Sequence, residues 1–344
     1  MCNIAGYVGK RDALPILKEM IRKQEGIDSG FYTGVAIHDG KELNFRKVQG
    51  CLETLIESTD VDSLIGRVGI IHSRTPSGGD YNWAHPFYTK REGKVKFCYV
   101  ANGNHGVFAD RMEYYREIAN YLETNGFEIP GKIKDDGYYI TLESGDAVHI
   151  SDVMCQLIYK YKSEGCNTVD AMTKAFTYMP CEIVGLSLEE ESSDRIYFSR
   201  INKPMFVGFD KDGAYAATTP AAFPESVKEY KLLPALSSGV IYADKVETFK
   251  YYAFEKNVRG FNKITIENTK KLILEMLSEN ECCYDDFERR VLSLKAKEEI
   301  IQEAPLVYES LYELLKEGKI KQKETERTWD GQTAPFKLYS KAKN

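Results

Sequence analysis

The chain has 344 residues, 43% hydrophobic and 28% charged, a balance that supplies a large core with room for a second domain and excludes a disordered polypeptide. Its formal net charge of −6 argues against a whole-surface embrace of nucleic acid or anionic lipid. No apolar run approaches the roughly 20 residues of a membrane-spanning helix, and Met1 to Gly9 lacks a basic stretch followed by an apolar one, so a cytoplasmic protein is expected.

In chain order, segments rich in Val, Ile, Tyr and Phe predict strands over 4–8, 34–38, 43–48, 68–72, 95–100, 183–188, 196–199, 205–209, 214–218 and 240–243. Several are near-continuous apolar runs, the pattern of sheets covered on both faces. Amphipathic helices that could cover them are predicted over 13–23, 111–125, 152–164 and 168–178. The blocks predict an α+β fold with two stacked sheets between helical layers.

After Tyr252 the texture changes. Helices are expected over 268–278, 284–293 and 305–317, then a hairpin turning at Asp330-Gly331, which divides the chain into 1–260 and a winged-helix-like 261–344. DNA-binding versions place the third helix in the major groove. Here that helix carries Glu309, Glu313 and Glu317 against Lys316 alone, so phosphate would repel it. Lys319, Lys321, Lys323 and Arg327 of the hairpin are interleaved with Glu324, Glu326 and Asp330, short of the dense patch that counterion release needs. The stripe Tyr308, Leu311, Tyr312, Leu315 favours packing on protein over DNA.

The eight cysteines (2, 51, 98, 155, 166, 181, 282 and 283) have no framework spacing and read as free thiols of a reducing compartment. Cys282 and Cys283 lack the two-residue gap of a zinc pair; neither metal nor cofactor is expected. Cys2 stands apart. Removal of Met1 would leave it with a thiol nucleophile and an α-amine of pKa roughly 7.7–8.0 on one residue, so that the amine can serve as general base.

Four blocks follow in order: Cys2 to Gly9; Gly26 to Asp39; Gly69 to Phe87, containing His72-Ser73-Arg74-Thr75-Pro76-Ser77-Gly78-Gly79 and Ala84-His85-Pro86-Phe87; and Val100-Ala101-Asn102-Gly103-Asn104. On these the sequence resembles the class II glutamine amidotransferases over roughly residues 2–250. The resemblance implies a four-layer αββα sandwich of the N-terminal-nucleophile hydrolase type, with glutamine as substrate. It also implies Asn102 and Gly103 as oxyanion donors, and Arg74, with Thr75 or Ser77, as the grip on the substrate carboxylate. Read singly, Arg74 could be a solvated loop arginine and Asn102-Gly103 a hairpin turn.

An aspartate for the substrate ammonium is also implied. Asp152 is the nearest candidate, although an ungapped alignment of its helix puts Ile150 in that place, and Ser151 or Asp152 could equally be the helix N-cap. Asn3 stands where the family has Gly, Glu25 where many members have an arginine that orients the terminal residue, and the loop after Arg74 is about two residues shorter than in sugar-phosphate members. His85 suits a turn held by imidazole hydrogen bonds better than a Cys-His dyad. The residues beyond 250 are too few for a synthase domain, so ammonia would go to a partner protein. The alternatives are a glutamine-sensing transcriptional regulator and an N-terminal-nucleophile amidase of different substrate.

Overall fold

A computed structural model describes residues 1–134, 139–251, 258–259, 263–294 and 300–342. Its strands, in chain order, are β1 (Asn3–Gly9), β2 (Tyr32–His38), β3 (Leu43–Gln49), β4 (Val68–Arg74), β5 (Phe87–Arg91) and β6 (Lys94–Asn104). The short β7 (Lys132–Lys134), β8 (Ile140–Thr141) and β9 (Asp146–Val148) form a small sheet of their own. Then come β10 (Glu182–Glu189), β11 (Ser192–Arg200), β12 (Phe206–Asp210), β13 (Gly213–Ala217), β14 (Tyr230–Leu232), β15 (Ser237–Tyr242) and β16 (Val246–Tyr251). The large sheets run β14-β12-β13-β1-β4-β2-β3 and β16-β15-β11-β10-β6-β5.

Alternation along a strand sends neighbouring side chains to opposite faces, and β1 shows why its sequence is apolar throughout. Ile4 and Val8 enter the core between the sheets, with Ile70, Val100, Leu186 and Phe198. Ala5 and Tyr7 enter a second core under α1 (Ala13–Gln24) and α2 (Leu52–Ser58). On the far side, Phe97, Tyr99 and Ile183 meet α3 (Met112–Thr124), α4 (Ile150–Ser163) and α5 (Thr168–Tyr178). Two sheets thus lie between two helical layers. The N-cap of α4 is His149, whose Nδ1 accepts from the Ser151 N–H at 3.1 Å, and not Ser151 or Asp152.

Near the C-terminus β17 (Val258–Arg259) pairs in parallel with β18 (Ile300–Ile301). Three helices, α6 (Lys263–Glu279), α7 (Tyr284–Leu292) and α8 (Glu303–Lys316), precede the hairpin β19 (Ile320–Trp329) and β20 (Gln332–Lys341). The expected division at 260/261 falls on residues outside those described. The core is continuous across it: Ile273, Leu277, Tyr284, Phe287, Tyr308 and Leu311 belong with Ala5, Leu17 and Ile71 to one cluster. Along α8 Lys316 alone is exposed. Glu309 accepts from the Tyr230 hydroxyl at 2.8 Å, while Glu313 and Glu317 hold Lys270 at 2.9 and 2.5 Å. The stripe on α8 is therefore packed on its own chain. No helix among the described residues is long and apolar enough to cross a membrane.

Candidate active site

Antiparallel pairing of Asn3 with Ser73 sets Cys2 beside the end of β4, where its Sγ lies 3.8 Å from the Thr75 hydroxyl. A cavity of about 320 Å³ opens at this point, and Cys2, Arg74, Thr75, Ser77, Asn102 and Gly103 all line it. Residues 72 to 101 positions from Cys2 in sequence come beside it because β1 is central in one sheet and β6 belongs to the other.

Arg74 is 1% exposed, unlike a solvated loop arginine. Its Nη2 donates to the Ser77 carbonyl and hydroxyl and the Gly78 carbonyl at 3.0, 3.1 and 2.8 Å, and its guanidinium stacks 4.6 Å from the Tyr32 ring centre. The loop thereby aims the group, and Nη1 is left without an acceptor among the described residues. Asn102, also 1% exposed, has an unpartnered Nδ2. Asn102-Gly103 is no turn: both lie in β6, opposite Val184 and Ile183 of β10. Gly103 has φ +149°, and a Cβ there would sit 2.1 Å from the Glu182 carbonyl oxygen, so only glycine brings the strands this close.

His85 also lines the cavity. The turn held by its hydrogen bonds is not found: neither ring nitrogen has a partner among the described residues, and the imidazole stacks on His72 at 3.8 Å and edge-on to Phe87. Burial pushes His85 and His149 well below the usual imidazole pKa and His72 to about 3, so the stack is neutral. His72 Nε2 meets the Ala101 carbonyl at 3.0 Å, bracing the strand just before Asn102.

With Met1 in place its ammonium pairs with Asp28, which also accepts from Arg327 of β19 at 2.8 Å. Burial acts to lower the ammonium's pKa, but Asp28, Glu288 and Asp285 outweigh it and leave it raised. Asn3 and Glu25 do not line the cavity. Asn3 takes a hydrogen bond from Ser29 and donates to the Tyr308 hydroxyl at 3.3 Å. Glu25 accepts from Thr33, Ser73 and the Leu52 N–H at 3.0, 2.8 and 2.9 Å, which places a carboxylate at the start of α2.

Asp152 lies outside the cavity, whose wall there is Ile150 and Ser151. Its carboxylate accepts from the Gly131 N–H at 2.8 Å and from Gln156 at 3.3 Å, and burial raises its pKa to about 7. Sequence reasoning missed Asp28, Lys203, Asp285 and Glu288, charged residues that also line the cavity. Asp28 had a local signal, an aspartate in a Gly-Ile-Asp-Ser-Gly turn that adopts φ +70°. Among the described residues no group of three or more His, Cys, Asp or Glu could hold a metal ion.

The fold, mixed α/β with several antiparallel sheets, is similar to that of solved glutamine amidotransferases. Glutamine phosphoribosylpyrophosphate amidotransferase from B. subtilis, solved with ADP and GMP, superimposes with a TM-score of 0.60 over 81% of this chain and 59% of its own, at 16% identity. A structure described as the allosteric regulatory enzyme of purine biosynthesis gives 0.59 over 90% and 63%, at 15% identity. In sequence the chain is homologous to glutamine–fructose-6-phosphate aminotransferases (isomerizing). That of Clostridium tetani is 28% identical over 253 residues, 72% of this chain and 36% of the relative. Those of Helicobacter pylori and Bacteroides thetaiotaomicron are 26% and 31% identical, covering 80% and 63% of this chain and 44% and 32% of theirs. The chain thus spans less than half the length of the curated relatives it matches. No family model matches it.

Proposed function

We propose that the chain, with Met1 removed, hydrolyses the side-chain amide of glutamine through Cys2 and releases ammonia for an acceptor on a partner protein. The observation that carries this is the convergence, on the cavity beside the Cys2 thiol, of two buried donors without partners, Arg74 Nη1 and Asn102 Nδ2. A buried donor is costly to leave unpaired, and these two suit a carboxylate and an oxyanion.

In this reading the α-amine of Cys2 takes the thiol proton as sulfur bonds to the amide carbon. Asn102 and the Gly103 N–H stabilise the tetrahedral oxyanion. The carbon–nitrogen bond breaks, ammonia leaves with that proton, and a γ-glutamyl thioester remains. Water attacks the thioester and frees glutamate and the thiol. Arg74, shaped by Ser77 and with Thr75 beside it, holds the α-carboxylate throughout. The regulator reading would need α8 in a DNA groove, and its apolar face is engaged in the core.

Intact mass and a glutaminase assay test the proposal together. The expected result is a chain without Met1 that forms glutamate from glutamine, and a Cys2→Ala variant that does not. A mature chain retaining Met1, or Cys2→Ala with full activity, overturns it.

A further inference from the structure

The cavity carries cationic and anionic side chains that the glutaminase chemistry leaves unequally used. Arg74, 1% exposed, presents Nη1 without an acceptor among the described residues. Asp285 and Glu288 of α7 line the same space. They are three residues apart on one helix face, while Tyr284 and Phe287 anchor α7 in the core. Neither carboxylate makes a hydrogen bond or ion pair within the described chain. Of the surrounding charges, Asp28 is held by Arg327 at 2.8 Å once Met1 is removed, and Lys203 by Glu303 at 2.8 Å. The α4 wall offers Ile150 and Ser151, with Asp152 turned away to Gly131.

We propose that Asp285 and Glu288 bind the α-ammonium of the substrate whose α-carboxylate Arg74 holds, so that α7 makes the site selective for a free zwitterionic amino acid amide. The inference rests on the cavity being the glutamine site. It assigns the ammonium contact to a helix nearly 290 residues from the nucleophile, and makes the C-terminal elements part of the substrate pocket. Asp285 and Glu288 attract a cation, and the ammonium enters where two unpaired carboxylates have been partly withdrawn from water.

The test compares glutamine with glutaramate, the same molecule without its α-amino group, as substrates of the full chain and of Glu288→Gln and Asp285→Asn/Glu288→Gln. Wild type should prefer glutamine by about 30-fold or more in kcat/KM, the scale of losing one partner of a buried charge pair. In the double variant the preference should fall below about 3-fold, chiefly through the KM for glutamine. A merely structural role would slow both substrates alike and leave the ratio intact, and that result overturns the inference. So does a shifted pH profile at unchanged preference, which would assign the two acids to the terminal amine alone.

Calorimetric binding of both ligands to Cys2→Ala protein, with and without the α7 substitutions, gives a readout independent of turnover. Glutamine binding that depends on Glu288 in a chain without glutaminase activity sustains this inference and removes the proposed reaction. Glutaminase activity with preference and binding indifferent to α7 does the reverse.

Discussion

The side-chain amide of Asn3 donates to the hydroxyl of Tyr308 across 305 positions of sequence, at 3.3 Å. Both residues are fully or almost fully buried. The residue next to Cys2 is therefore tied to α8, and with the Ser29 contact its amide is satisfied from two directions.

Tyr308→Phe leaves the Asn3 Nδ2 buried without an acceptor. The expected cost is about 1–3 kcal/mol of stability, with slower glutamate formation as the β1 terminus loosens. A double-mutant cycle with Asn3→Ala should give a coupling of about 0.5 kcal/mol or more. Strict additivity in chemical denaturation would remove the link.

Arg74→Lys keeps the charge and loses the planar fork that Ser77 and Gly78 aim. We expect kcat/KM for glutamine to fall about 10- to 100-fold, mainly through KM, since a charge-assisted hydrogen bond is worth about 1.5–3 kcal/mol. Steady-state kinetics decide it, and an unchanged KM would take Arg74 out of the carboxylate site.

Asn102→Ala should lower kcat by about 10²–10³ with little change in KM, as for other oxyanion donors. Gly103→Ala acts on folding as well. Its Cβ meets the Glu182 carbonyl at 2.1 Å and φ +149° is foreign to alanine, so a loss of about 2 kcal/mol or more is expected in a melting experiment. A Gly103→Ala chain as stable as wild type would contradict the strand geometry.

Asp152 links stability to pH. Its folded pKa, about 7, lies above the ordinary 3.8, so its contribution is fully present below about pH 4 and is lost as pH rises through 7. Melting midpoints between about pH 4 and 7 should thus carry a downward component that Asp152→Asn lacks. The two proteins having the same slope over that window would show that Asp152 ionises normally.

Much of this was legible in the sequence because it rests on local periodicity. The apolar run Ile4 to Val8 implied a strand covered on both faces, and β1 is buried on both. Arg74, Thr75, Ser77, Asn102 and Gly103, which the resemblance grouped with Cys2, line one cavity with it. Short elements such as α2 and β5 escaped, since seven or five residues hold too little period to register. Asp152 was misplaced because helix position alone does not say whether a carboxylate faces a cavity or, as here, the Gly131 N–H. The α7 wall and the Arg327 brace had no local signal: each depends on how the last three helices and the hairpin settle on the first sheet, and no pattern in Asp285 or Arg327 encodes that destination.

The contact of Arg327 with Asp28 also sets a timetable. Asp28 holds the terminal ammonium, yet its cation arrives 299 residues later. At about 5–20 residues per second the first segment leaves the ribosome roughly 15–60 s before its brace exists. Until the hairpin has emerged and docked, the carboxylate of Asp28 lacks the guanidinium contact it has in the finished chain.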